Sequence, residues 1–147
     1  MVSSSVALQS VLVDLIDLGL LGKQAHWNVY GPVFRSVHLE LDDMVTQLLA
    51  WQDEVAERIA ALGDHPDGRA ATVADTSAVS PLDAGALRDA DVVRGFCDRL
   101  AAVSKAIAAK AADLDADLAS QDVLVGIIAG LDKMAWFFRA QFAGFVA

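Results

Sequence analysis

The sequence predicts an all-α fold, a four-helix bundle with a long crossover between its second and third helices. Apolar residues recur at helical spacing in four long segments. A connection from Gly63 to about Asp83, rich in Ser, Thr, Asp and Ala, separates the second segment from the third. A connection of that length allows two neighbouring helices of a bundle to run parallel. The 147 residues contain neither a repeat nor an internal linker, so we expect a single domain over 1–147.

Each helix has its own local signals. Leucines at helical spacing define the first helix, and Gly31-Pro32 separates it from the second, because Pro suits the start of a helix. The Ala-rich stretch 101–118 indicates the third helix, and Ser120 is the expected cap of the fourth. The predicted bounds are about 4–30, 33–62, 84–118 and 121–145, with a short helix near 69–75 in the crossover.

Composition excludes several classes of protein. Hydrophobic residues make up 55% of the chain, with a mean hydropathy of +0.43, which favours burial of apolar surface between subunits. The longest apolar run, 123–131, is far short of the roughly 18 residues of a membrane span. The first ten residues lack the basic and apolar regions of a signal peptide. The single cysteine, Cys97, forms no disulfide within the chain, which favours the reducing cytoplasm, and we expect it in the core.

The net charge of −9 bears on partners. Proteins that bind nucleic acid usually carry a basic face or tail. Here the first basic residue is Lys23 and the last charged residue is Arg139, so neither end supplies a cationic arm. An acidic surface attracts metal cations and repels phosphate, and DNA binding is therefore doubtful.

Five side chains form a candidate metal constellation: His26, His38, Asp42, Asp53 and Glu57. The last four form two i,i+4 pairs on the second predicted helix, so each pair lies on one helix face. Imidazole and carboxylate together suit iron, which accepts mixed nitrogen and oxygen ligands. Taken singly, each histidine would be interpreted as a hydrogen-bonded structural residue. Asp53 and Glu57 alone would be interpreted as a solvated acidic turn. The chain has only three histidines, and two of them fall in this constellation.

The spacing of the two pairs indicates an intersubunit site. Their centres are fifteen residues apart on one helix, or roughly 22 Å at 1.5 Å per residue. Metal–ligand bonds of about 2 Å cannot span that distance. A second copy of the helix, laid antiparallel about a two-fold axis near residue 47 or 48, brings Asp53 and Glu57 of one chain beside His38 and Asp42 of the other. Two-fold contacts are isologous, so each dimer would hold two such sites.

Four stretches of the chain resemble the Dps family, the starvation-induced mini-ferritins of the ferritin-like superfamily. They are KQAHWNVYGPVFRSVHLELDDMV (23–45), DEVAERIAALGDHPDG (53–68), SQDVLVG (120–126) and DKMAWFFRA (132–140). The resemblance implies a ferritin-like bundle assembled into a hollow dodecamer with intersubunit di-iron sites. It assigns His26, His38 and Asp42 to one subunit and Asp53 and Glu57 to its two-fold mate.

The same resemblance implies a ferroxidase that stores ferric oxide and protects against oxidative stress. Glu57, with Asp53, is expected to bind the first iron, and the histidine side the second iron or a bridging water. Hydrogen peroxide is the expected oxidant, with dioxygen slower, and zinc or manganese are substitute metals. Trp27 is either an electron donor beside the site or a packed aromatic residue. Asp113, Asp117 and Asp122 are candidate acids of an entry pore, or alternatively solvated acids at helix ends.

Two other functions remain open on the sequence. A nucleoid protein could protect DNA by coating it, although the absence of a basic tail argues against that role. A shell without chemistry could serve as a scaffold, although the retention of all five candidate ligands argues against that one.

Overall fold

The structure, a computed structural model, describes residues 3–141 and contains four long helices. The elements are α1 Ser4–Asn28, β1 Val29–Tyr30, α2 Phe34–Ala61, α3 Ala70–Thr76, β2 Leu87–Arg88, α4 Asp89–Ala112 and α5 Leu118–Ala140. Helix α1 packs mainly against α2, and α4 against α5, with the short helix α3 in the crossover. Two short strands, β1 and β2, pair in parallel and join the α1–α2 turn to the start of α4. The predicted four-helix bundle with a short helix in its crossover is confirmed.

The core is continuous through all four long helices. Leu15 of α1 and Leu48 of α2 are completely buried, as are Phe96 of α4 and Phe138 of α5, whose rings stack at 6.0 Å. Burial of side chains of this size contributes about 1.5–3 kcal/mol each. Cys97 is buried in the same core, as predicted, and burial raises the pKa of its thiol.

Helix α1 contains the longest stretch of high hydropathy with few charges. Among the described residues it is the one helix with the length and mean hydropathy, 1.6, of a membrane span. A search for unbroken apolar runs missed it, because Asp14 and Asp17 interrupt the sequence. In the structure 56% of the most apolar 18-residue window of α1 is buried within the bundle. A buried core helix can have the same length and hydropathy as a membrane span.

Polar bonds fasten the crossover to the bundle. Asp14 accepts the N–H of Ala78 at 2.9 Å, and the hydroxyl of Ser77 donates to Asp17 at 2.5 Å. On the other side Arg99 donates to the carbonyls of Ser80 and Pro81. Burial raises the pKa of the Asp14 carboxyl, so the bond to Ala78 is needed to offset its desolvation.

Four predicted boundaries are wrong. Helix α1 ends at Asn28, and the third long helix, α4, begins at Asp89, because residues 29–30 and 87–88 pair as strands. The third helix also ends at Ala112, and the fourth begins at Leu118. Its cap is Asp117, which accepts the N–H of Ser120, so Ser120 itself lies inside the helix. The predicted end of the fourth helix, near residue 145, lies outside the described residues.

Candidate metal centre

The two candidate histidines meet where α1 ends and α2 begins. Their rings stack with centroids 3.7 Å apart and planes inclined by 16°. The Nδ1 atom of His26 lies 2.8 Å from the carbonyl oxygen of His38, and the Nδ1 of His38 lies 2.8 Å from the carbonyl oxygen of His26. The tertiary fold therefore ties the two residues together through a reciprocal pair of hydrogen bonds.

This reciprocity fixes which ring nitrogen is available to a metal. A carbonyl oxygen only accepts hydrogen bonds, so Nδ1 of each ring must carry the proton. The Nε2 atom of each neutral imidazole then keeps its lone pair, the form in which histidine binds a metal. A carbonyl that holds the second nitrogen of a ligand histidine is a common arrangement in metal sites, because it fixes the tautomer and the ring orientation.

Asp42 lies beside the histidines and forms an ion pair with Lys23. Its Oδ1 atom is 3.9 Å from Nδ1 of His26 and accepts a hydrogen bond from Nζ of Lys23 at 2.6 Å. This hydrogen bond from Lys23 is the main cause that lowers the pKa of the Asp42 carboxyl. The carboxylate is ionised at neutral pH and half exposed, so a metal ion would compete with Lys23 for it.

The other two candidate ligands lie far away on the same helix. Asp53 and Glu57 are exposed and one turn apart near the end of α2. Arg58, which directly follows Glu57, donates to Asp117 and Ser120. Within residues 3–141, no three His, Cys, Asp or Glu side chains of one chain converge on a common metal position. The candidate ligands of one chain thus fall into two separate groups, called half-sites below.

Large apolar side chains are exposed on both helices that carry the candidate ligands. Leu49, which lies between Asp42 and Asp53 on the same helix face, is 58% exposed, and Leu20 of α1 is 59% exposed. Trp27, next to His26, is 69% exposed, so it is not packed within its own chain. Contact with another protein chain would bury apolar side chains of this size.

The three candidate pore acids lie around the α4–α5 turn but differ in surroundings. Asp113 is the exposed C-cap residue of α4, and Asp122 is exposed in the second turn of α5. Asp117 caps α5, accepts hydrogen bonds from Ser120, and forms an ion pair with Arg58 at 2.9 Å. The Ser120 hydroxyl, followed by the other donors, lowers the pKa of Asp117 to about 2. Asp117 therefore has a structural role whatever else it does.

Sequence reasoning missed two residues near the half-site. Lys23 lies three residues before His26 on α1, and this i,i+3 spacing was a usable signal that it faces the same side. Asp89 contacts the α1–α2 turn from a position more than fifty residues later in the chain. The sequence placed it inside the predicted third long helix, and nothing local indicated its distant partner.

Comparison with known proteins identifies the family. The model of the ferritin-like domain matches residues 6–145. DNA protection during starvation protein of Agrobacterium fabrum is 33% identical over 136 residues, which cover 91% of this chain and 84% of that protein. DNA protection during starvation protein 2 of Deinococcus radiodurans is 33% identical over 135 residues. The match covers 91% of this chain but only 56% of that longer relative.

A solved structure agrees with these matches. Dps from Microbacterium arborescens in the high iron form superimposes with a TM-score of 0.88 at 35% identity, covering 94% of this chain and 91% of that one. The chain is thus a ferritin-like protein. Within that class it belongs to the Dps family, as its motifs predicted. Members of this family serve in iron storage and in the protection of DNA during starvation.

Proposed function

We propose that this protein is a ferroxidase and an iron-storage mini-ferritin whose di-iron sites form between subunits. Its substrates are ferrous ions and an oxidant, preferentially hydrogen peroxide and more slowly dioxygen. Its product is ferric oxide, held in a hollow dodecamer. Removal of ferrous iron and peroxide together would protect DNA and other molecules from oxidative damage.

One observation supports the proposal most strongly. The reciprocal hydrogen bonds of His26 and His38 leave both Nε2 atoms free as ligands, and the ionised Asp42 lies 3.9 Å from the other nitrogen of His26. The complementary carboxylates, Asp53 and Glu57, lie roughly 22 Å away along α2. A two-fold mate that covers the exposed Leu49 between them would unite the two half-sites and bury that leucine.

Each part of this proposed site has a distinct task. Asp53 and Glu57 supply negative charge and hold the first ferrous ion. His26, His38 and Asp42 hold the second ion, or a water that bridges to it. Two ferrous ions each give one electron to one peroxide molecule, whose O–O bond breaks to leave two hydroxide ions, so no hydroxyl radical is released. The ferric ions take up oxygen from water as they form oxide, and the protons pass to solvent.

The chemistry of the remaining candidate residues follows from their positions. Trp27 directly follows His26 and is exposed, and in this proposal it donates an electron when only one iron is bound. Asp113 and Asp122, with Asp117, would attract ferrous ions at a pore formed by copies of the α4–α5 turn. We also propose the cytoplasm as the compartment, because the only cysteine is buried in the core and forms no disulfide within the chain.

Iron oxidation in the intact assembly tests the proposal. Ferrous iron is added without oxygen, peroxide follows, and the absorbance of ferric product is recorded beside the native mass from light scattering. Glu57→Ala should slow the reaction strongly at unchanged mass, and the matched control Glu54→Ala, three residues earlier and also exposed, should not. A stable monomer that oxidises iron at the full rate would refute the intersubunit site.

Coating of DNA is the second candidate function, because relatives of this chain are named for DNA protection. The net charge of −9 opposes it, since phosphate contacts need basic side chains. We therefore expect weak or no binding near neutral pH. A gel shift at low salt that reveals tight binding would favour coating over protection by iron removal.

A further inference from the structure

Asp89 is a buried carboxylate outside the proposed iron site. It is the first residue of α4 and is 3% exposed. One of its oxygens accepts the N–H of Ala90, and the other accepts the N–H of Val33, each at 2.8 Å. Burial of a carboxylate is costly unless such donors satisfy it. The bond to Val33 therefore links the start of α4 firmly to the start of α2.

This bond supplies what the start of α2 lacks. Val33 is the N-cap residue of α2, makes no cap with its own side chain, and is followed by a first turn without an acid. The free N–H groups and positive end of a helix dipole favour a nearby anion. Asp89 thus serves the N-termini of α2 and α4 with a single carboxylate.

The turn between α1 and α2 is shaped around the same carboxylate. Gly31 has a φ of +135°, and a Cβ atom there would lie 2.4 Å from the carboxyl group of Asp89. Only glycine allows the turn to approach so closely. Strand β1, which begins this turn, pairs with β2, the two residues that directly precede Asp89. The turn is held on two sides by one short segment, residues 87–89.

The two candidate histidines flank this turn. His26 lies three residues before β1, and His38 lies five residues after Val33. Their reciprocal hydrogen bonds need the end of α1 and the start of α2 at one fixed separation. We propose that Asp89 is a positioning residue for the histidine half of the iron site, an inference that rests on the proposed function. It acts through the turn and touches no iron.

The first measurement does not involve metal. Exchange of the Cε1 hydrogen of each histidine, followed by mass spectrometry of the full chain, reports on its ring environment, and exposed His65 serves as an internal reference. In Asp89→Asn, which keeps size but offers one acceptor for two N–H groups, exchange at His26 and His38 should change and that at His65 should not. Asp91→Asn removes a charge from the same first turn of α4 at an exposed position and is the matched control.

The second measurement is the affinity for cobalt(II), a probe that stays divalent in buffer without peroxide. Asp89→Asn should bind it about tenfold more weakly, the effect typical of groups that orient metal ligands, while Asp91→Asn should bind as the wild type does. Unchanged histidine exchange, or changed exchange with unchanged cobalt affinity, would overturn the inference. A wild type that neither binds cobalt nor oxidises iron would instead overturn the proposed function, and histidine exchange would still decide the role of Asp89 in the turn.

Stability must be separated from positioning. Asp89→Ser is the second variant if Asp89→Asn does not fold, since Ser suits a helix start but its shorter side chain withdraws from Val33. The wild type offers a further check, because the Val33 amide precedes α2 and yet should be protected from hydrogen exchange by Asp89. Rapid exchange of that amide would overturn the inference without any variant.

Discussion

Two inactive variants should restore iron oxidation when their chains are mixed. Asp42→Ala removes a ligand from one half-site, and Glu57→Ala removes a ligand from the other. The Asp42 side chain is half exposed and Glu57 is exposed, so neither substitution should disturb the core. Because the half-sites are roughly 22 Å apart on one helix, each complete site must take one half from each chain.

The size of the effect follows from two-fold symmetry. In a mixed dimer one site carries both substitutions, and the other site carries neither. Random pairing of equal amounts makes about half of the dimers mixed, and one site of two is intact in each, so about a quarter of wild-type activity should return. A site built within one chain would return none, because every chain lacks one ligand.

The assay is the initial rate of peroxide-dependent ferric absorbance after the chains are dissociated and reassembled, or co-expressed. The reciprocal mixture pairs the wild type with the Asp42→Ala/Glu57→Ala double variant. Intersubunit sites again give about a quarter of the activity, whereas sites within one chain give about half. Activity near zero in the first mixture and near half in the second would refute the shared site.

Three further predictions address the surroundings of the site. Lys23→Gln should raise the pKa of Asp42 towards its ordinary value and lower the half-saturating ferrous concentration at pH 7 by up to about fivefold, as expected of an exposed ion pair; unchanged iron titrations would contradict this. Asp117→Ala should cost about 1 kcal/mol in thermal unfolding at pH 7 through loss of a helix cap. The pKa of Asp117 is lowered from 3.8 to about 2, so its contribution is present at neutral pH and is lost as pH falls through about 2. The stability difference between wild type and variant should therefore shrink in acid, and a constant difference would argue against the carboxylate. Trp27→Phe should leave the native mass unchanged and remove the oxidised-tryptophan product formed at low iron, whereas a lower mass would indicate that exposed Trp27 acts mainly in subunit contact.

The helices and the division of the proposed site were accessible from the sequence. Helix formation depends on residues within about one turn, so apolar spacing located all four long helices. The short helix expected near 69–75 is also present, as α3. The regular rise of a helix also made the distance between the His38/Asp42 pair and the Asp53/Glu57 pair calculable before any tertiary contact was known. The intersubunit arrangement remains a prediction, and it depends only on that rise.

Helix ends were less accessible, because distant partners decide them. Residues 84–88 were predicted to begin a helix, yet β2 pairs with β1, which lies between α1 and α2, and α4 begins only at Asp89. Ser120 fits the sequence preferences of a cap, but Asp117 occupies that position and also binds Arg58 of α2. No rule that examines neighbouring residues alone includes a partner fifty-nine positions away.

Local chemistry thus indicated which side chains are candidate iron ligands and how far apart α2 carries the two pairs that lie on it. Packing of the chain on itself supplied their orientation: the stacked rings of His26 and His38, the lysine that shares Asp42, and the carboxylate of Asp89 beneath the turn. The reason is physical. Periodicity and propensity act over a few residues, whereas a hydrogen bond between separate helices exists only after the hydrophobic core has brought them into contact.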